Sequence, residues 1–156
     1  MRAPLFAALL LLAACDGGGG GDFGKAVPFA RQSLDGTAFV LPRDGDGKVV
    51  LLHFWNGGAG GGALLPALAE LRRERQERDL LLLAVDVGES REAAAFVAGR
   101  TLGYPVVLDP DSALARAYGI AELPVTVLID REGRVRARIP GTIPFGAVRS
   151  ALKTLP

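Results

Sequence analysis

With 156 residues, the chain has room for one domain with a core of its own. Apolar residues make up 49% and charged residues 22%, the balance of an ordinary globular protein. The 18 Lys and Arg stand against 17 Asp and Glu, and the net charge of +1 leaves no electrostatic footprint for nucleic acid.

The chain opens on "MRAPLFAALLLLAAC". Arg2 is a short positive segment, and Pro4 to Leu12 is an apolar run too short to span a bilayer. Leu12-Ala13-Ala14-Cys15 then resembles the lipobox of a bacterial lipoprotein signal, in which the cysteine is acylated and becomes the mature N-terminus. Residues 1–15 are expected to be that signal, with Cys15 as the lipidation site. Residues 16–25 form a glycine-rich tether and residues 26–156 the folded domain. The expected location is the extracytoplasmic face of the bacterial cell envelope.

Along the domain, Val27 to Leu41 holds two short apolar pieces around Leu34-Asp35-Gly36, a β-hairpin. Arg43 to Lys48 is a polar turn. In Lys48 to Trp55, every residue after Lys48 is apolar apart from His53, which predicts a strand buried on both faces. Leu64, Leu68 and Leu71 recur at helical spacing, predicting an amphipathic helix from about Ala63 to Arg78. Leu80 to Val87 is a second buried strand, and Ser90 can cap a helix running to about Gly103, with Phe96 and Val97 facing in. Pro105 to Leu108 is a short strand. Asp109-Pro110-Asp111 opens a helix ending at Gly119. Val125 to Ile129 and Val135 to Ile139 are antiparallel strands about a turn, and Phe145 to Leu155 is a closing helix. The alternation predicts an α/β domain with a central sheet and helices on both faces.

The strand-to-helix turn "FWNGGAGGGALLP" is shaped like an active site, yet residues 57–63 contain no Ser, Thr, Cys, Lys, Arg, Asp or Glu. Residues 58–63 formally satisfy G-x-G-x-x-A, with Asp86 ending the next strand, so a dinucleotide-binding turn is one reading. A glycine run matches such patterns by chance, and no Lys or Ser/Thr follows Gly62 to make a phosphate loop. Backbone N–H groups at the helix start could hold an anion; the plain alternative is a flexible turn. His53, the one histidine, reads either as an acid, base or metal ligand or as a core residue with one hydrogen-bond partner. A lone histidine supplies neither a ligand set nor a nucleophile. Trp55 reads as packing. Asp86, Glu89 and Glu92 read as a solvated face, as does the charged run from Arg72 to Arg78, with lipid headgroups as its minor alternative. No resident cofactor or metal is expected.

Val27-Pro28-Phe29, "LDG" at 34–36, "GKVVLLHFW" at 47–55, "LLPALAEL" at 64–71 and "YGIAELPVTVLIDREGRV" at 118–135 together resemble the membrane-tethered thiol–disulfide oxidoreductases of the TlpA/ResA type. That resemblance implies a thioredoxin-like α/β fold: a central mixed sheet flanked by helices, an N-terminal hairpin and a cis-proline loop. It implies that Pro124 is cis rather than an ordinary trans proline, and that the Leu123 backbone is displayed to an extended substrate. It also implies a dithiol near Ala59 and Gly62, or one residue earlier, with a helper glutamate before the helix proline. The sequence departs at each of these: Ala59 and Gly62, or Gly58 and Gly61, are not cysteines, and Leu64 and Leu65 stand where the glutamate would be. Thiol exchange needs a thiolate at a helix N-terminus and a resolving partner, and peroxidase chemistry of the peroxiredoxin type needs a cysteine nucleophile. The expectation is a degenerate turn, residues Trp55, Asn56, Gly57, Gly58, Ala59, Gly60, Gly61 and Gly62, beside the Leu123–Pro124 loop. It would serve as a binding or accessory module for an envelope protein or extended peptide. The alternative is an enzyme using non-thiol chemistry or a bound cofactor at the glycine-rich turn.

Overall fold

Residues 22–57, 61–75, 79–88 and 90–156 are described by the computed structural model. Cys15 and the tether to residue 21 lie outside the described residues, as do Gly58, Ala59, Gly60 and Glu89. In chain order the strands are β1 (Phe29–Gln32), β2 (Ala38–Leu41), β3 (Val49–Trp55), β4 (Leu80–Val87), β5 (Val106–Asp109), β6 (Val125–Ile129) and β7 (Val135–Pro140). The helices are α1 (Leu65–Glu74), α2 (Ser90–Val97), α3 (Ala113–Ala117) and α4 (Gly146–Thr154).

β1 and β2 form an antiparallel hairpin, and the remaining strands form one mixed sheet in the order β5-β4-β3-β6-β7. β3 pairs in parallel with β4 and antiparallel with β6. All seven residues of β3 are buried because the sheet is covered on both sides. Alternation along the strand assigns Leu51 and Trp55 to one face, against Leu65, Leu68 and Leu71 of α1 and Leu152 of α4. Leu52 and Phe54 face the other side, against Leu114 and Tyr118 at α3 and Phe29 and Leu41 of the hairpin.

Both sheet edges are partly covered. Leu34 N–H donates to the Val106 carbonyl at 2.9 Å, laying the hairpin turn on β5. On the far side, Phe23 N–H donates to Val135 at 3.0 Å and Ala26 N–H to Gly133 at 2.8 Å, so the incoming chain lines the start of β7.

The helices differ from expectation at their ends. The helix placed from Ala63 to Arg78 is a 3-10 turn at Gly61–Leu64 followed by α1, and Arg75 is already extended. Nothing apolar follows Leu71 to give a longer helix a buried face, and residues 76–78 lie outside the described residues. α2 stops at Val97 instead of Gly103 because Gly99 takes the left-handed conformation, φ 72°. The helix expected to open at Asp109 starts at Ala113. Asp109 sits upstream, its carboxylate accepting from Leu114 N–H at 3.0 Å and Ala115 N–H at 2.9 Å.

Candidate functional site

β3 delivers Trp55 to one end of the sheet, and the antiparallel pairing of Phe54 with Val125 sets Pro124 beside it. The glycine-rich turn and the proline loop therefore share one pole although about 60 residues separate them along the chain.

On the turn side, Trp55 is completely buried and meets the Phe96 ring edge-on, centroids 5.4 Å apart. Gly62 is buried directly beneath Phe96, and a Cβ built at Gly62 would overlap that ring. The Arg100 guanidinium lies 4.4 Å from the Phe96 centroid and donates to the Phe96 carbonyl. The space a side chain at 62 would need is filled from α2. Asn56 is exposed and Gly57 half-buried. Gly61 starts the 3-10 turn that leads into α1.

Behind the turn, His53 has no solvent exposure, and its Nδ1 hydrogen-bonds Thr126 Oγ1 at 3.0 Å. Burial alone holds its pKa down at about 4, so the ring is neutral near pH 7. Among the described residues, its Nε2 has no partner, nor has the buried Trp55 Nε1. A tautomer that donates from Nδ1 leaves only an acceptor unmatched at Nε2. Tyr104 donates to the Leu65 carbonyl at 2.8 Å, fixing the first turn of α1. Asp86 corrects the reading of a solvated acidic face. It is 1% exposed, paired in register with Trp55, because β4 turns it toward the layer beneath α1 and α2. A ribose-binding acid must face solvent at the strand end, so this burial also opposes the dinucleotide reading.

On the proline side, the Leu123–Pro124 peptide is cis. Gly141 N–H donates to the Pro124 carbonyl at 2.7 Å, and a Cβ at Gly141 would overlap the Pro124 ring. A groove of about 310 Å³ opens here, walled by Ile120, Leu123, Pro124 and Val125, with Glu122 and Arg138 as its charged members. A larger cavity of about 380 Å³ lies at the opposite pole, between Lys25–Pro28, Leu41, a second cis proline at Pro42, and the β6–β7 turn. It shares no residue with the turn or the proline loop.

Phe96, Gly141, Thr126 and Tyr104 were not singled out as site residues by the sequence. Thr126 carried one usable signal: it stands two residues after Pro124 in the strand that must pair with β3. Gly62 and Phe96 meet across a helix and a strand, and no local pattern marks the pair. Among the described residues, no group of three or more His, Cys, Asp or Glu could hold a metal ion. No helix among them is long and apolar enough to cross a membrane.

Residues 24–138 match the AhpC/TSA family. The chain belongs to that family. It is 32% identical over 135 residues to the thiol-disulfide oxidoreductase ResA of Geobacillus thermodenitrificans, covering 85% of this chain and 77% of the relative. It is 34% identical over 117 residues to ResA of Bacillus subtilis, covering 74% and 65%. Among solved structures it resembles a thiol:disulfide interchange protein DsbE from Chlorobium tepidum, with TM-score 0.77 and 26% identity over 85% of this chain and 96% of that one. It also resembles the exposed lipoprotein thioredoxin Etrx1 of Streptococcus pneumoniae, with TM-score 0.73 and 28% identity over 83% and 100%. The fold is thioredoxin-like, with the mixed sheet and separate hairpin described above.

Proposed function

We propose that this chain is a lipid-anchored, thioredoxin-like accessory protein of the bacterial cell envelope that binds an extended peptide or protein segment without thiol chemistry. One observation carries the reading: the sequence has a single cysteine, Cys15, and no thiol at residues 58–62. Disulfide exchange breaks and remakes S–S bonds through a thiolate and a resolving thiol, and a lone cysteine outside the turn cannot fill both roles. His53 offers no substitute, since it is fully buried and stays neutral.

The groove beside Leu123 and Pro124 supports the binding half of the reading. Extended peptides dock through backbone hydrogen bonds, with shallow apolar pockets for alternate side chains. The lipobox ending at Cys15, and the description of the pneumococcal neighbour as an exposed lipoprotein, support the anchor.

The test is photo-crosslinking in the native host, with a photoreactive residue at Ala59 or Leu123 and a control at Arg75 on the distant end of α1. The expected result is a discrete adduct from positions 59 and 123 only, mapped by mass spectrometry to one contiguous stretch of a partner. No adduct from folded, membrane-bound protein, or the same adducts from Arg75, would overturn the binding role. Reduction of insulin disulfides by the purified protein above the level of a Cys15→Ser variant would overturn the thiol-free role.

A further inference from the structure

We infer that the partner of the groove is an extended segment of a protein in the same membrane, caught where it leaves the bilayer and paired to the outer edge of β7 at Arg138. This rests on the proposed binding role and its lipid anchor, and adds which partner can reach the groove and which backbone holds it.

The described chain starts beside this groove. Lys25 is bridged antiparallel to Arg134, and Phe23 N–H and the Gly24 carbonyl pair with Val135. β7 runs from Val135 toward the groove at Pro140, so the antiparallel incoming chain comes from the groove end and heads for the β6–β7 turn. Phe23 marks the place: its ring lies 5.2 Å from the Arg138 guanidinium, and Arg138 is a wall of the groove. Cys15 is seven residues before Asp22, and such a length reaches at most about 25 Å. β7 from Arg136 to Pro140 adds about 14 Å. An anchor at Cys15 therefore keeps the groove within roughly 40 Å of the bilayer surface, the reach of about a dozen extended residues leaving it.

The edge beside the groove has an open rung. Gly141 N–H donates to the Pro124 carbonyl, so alternation turns the backbone of Ile139 and Ala137 toward β6 and that of Arg138 outward. Positions on either side are closed. Val135 is taken by the incoming chain; Pro140 has no N–H, and its carbonyl accepts from Ile143 N–H at 3.0 Å. Arg138 N–H and C=O have no backbone partner among the described residues. Phe23 beside this stretch and Ile143 just past it are large apolar side chains left to solvent, 50% and 42% exposed. A second copy is a poor occupant: pairing β7 with itself would set Arg136 and Arg138 against their own copies, and like charges directly opposite destabilise a ladder. The charged members of the groove, Glu122 and Arg138, are one of each sign. Selection therefore falls to the backbone rung and the apolar wall of Ile120 and Leu123 rather than to net charge. The short tether supplies the rest, since it holds near-membrane segments at high effective concentration.

The test is photo-crosslinking of the full acylated chain in its native host, from a photoreactive residue at Thr142 beside the groove or at Phe23 beside the tether; both positions are exposed. The expected result is one partner captured from both positions, with adducts mapped to within about a dozen residues of a membrane-spanning segment. Adducts with a protein lacking such a segment, or farther from one, would overturn the inference. Arg138→Pro removes the outward N–H at an edge position where proline is tolerated, and should lower the Thr142 adduct at least about fivefold. Arg138→Ala keeps that N–H and should lower it about twofold or less. Equal losses from the two variants would overturn the rung; should the proline variant not fold, the mapped adducts decide alone. A mature chain carrying Cys15→Ser, exported behind a cleavable signal, should give the same adducts at least about tenfold more weakly at equal abundance. Undiminished adducts would overturn the part assigned to the tether. Adducts from Leu123 with failure of these criteria would leave the proposed binding role standing; none from any of the three positions would remove both.

Discussion

Two glycines at the pole of the candidate site are each pressed against a ring. Gly62 opens onto Phe96 and Gly141 onto Pro124. The two neighbours are not alike. Phe96 presents the far end of a side chain on a short helix, which can swing aside. The Pro124 ring is fused to the backbone, and the Pro124 carbonyl also stands 3.0 Å from where a Cβ at Gly141 would be. One wall of this pole, on the turn side, is therefore set by side-chain packing and the other, on the proline side, by the backbone. On the turn side, the space a side chain at residue 62 would need is filled with an aromatic plug.

The largest effect follows from that difference. Gly141→Ala is expected to destabilise by about 3 kcal/mol, because overpacking against backbone cannot be relieved by a rotamer change. Urea denaturation midpoints measure it. A loss below about 1 kcal/mol would mean the proline wall is as pliable as the turn.

The next effect depends on pH and probes the layer behind the turn. His53 is held at about 4 in the fold and returns to about 6.5 when unfolded. Between those values the unfolded chain binds the extra proton, so stability rises with pH across this window. The contribution is complete above about pH 6.5 and is lost progressively as pH falls toward 4, by roughly 2–3 kcal/mol. Against wild type, His53→Gln should flatten the slope between pH 6.5 and 4 while leaving slopes from carboxylates below it. An unchanged slope would show that the ring is not buried neutral.

What was legible in the sequence divides along the same line as the two walls. β4 and β6 could be read to the residue, because a run that is apolar at all but one position is buried along its whole length in a covered sheet. The proline loop was legible through its own local block, Tyr118 to Val135, as was the absence of thiols from the turn. Helix ends were not, since α2 stops where Gly99 can turn left-handed and α1 stops where apolar residues run out. The plug was the least legible feature. That Phe96 faces inward is legible from its place on the helix, but only the packing of α2 against the turn reveals that it covers Gly62. Asp86 failed for a related reason: a charge near a strand end looks solvated until the helices that cover it are placed.

On the pliable wall, smaller effects are expected. Gly62→Ala should cost about 1–2 kcal/mol, and the cost should vanish when Phe96→Ala is already present, since the two residues contend for one space. Arg100→Gln, which removes both the cation over the Phe96 ring and the exposed hydrogen bond from the guanidinium to the Phe96 carbonyl, should cost about 0.5–1 kcal/mol. These variants form a double-mutant test of the plug. If Arg100 steadies Phe96 in place, the penalty of Gly62→Ala should be smaller in the Arg100→Gln background, because a looser ring yields more easily to the new methyl group. Strict additivity would mean the ring is held by Trp55 alone. The arginine would then be a surface residue leaning on a wall that is already set.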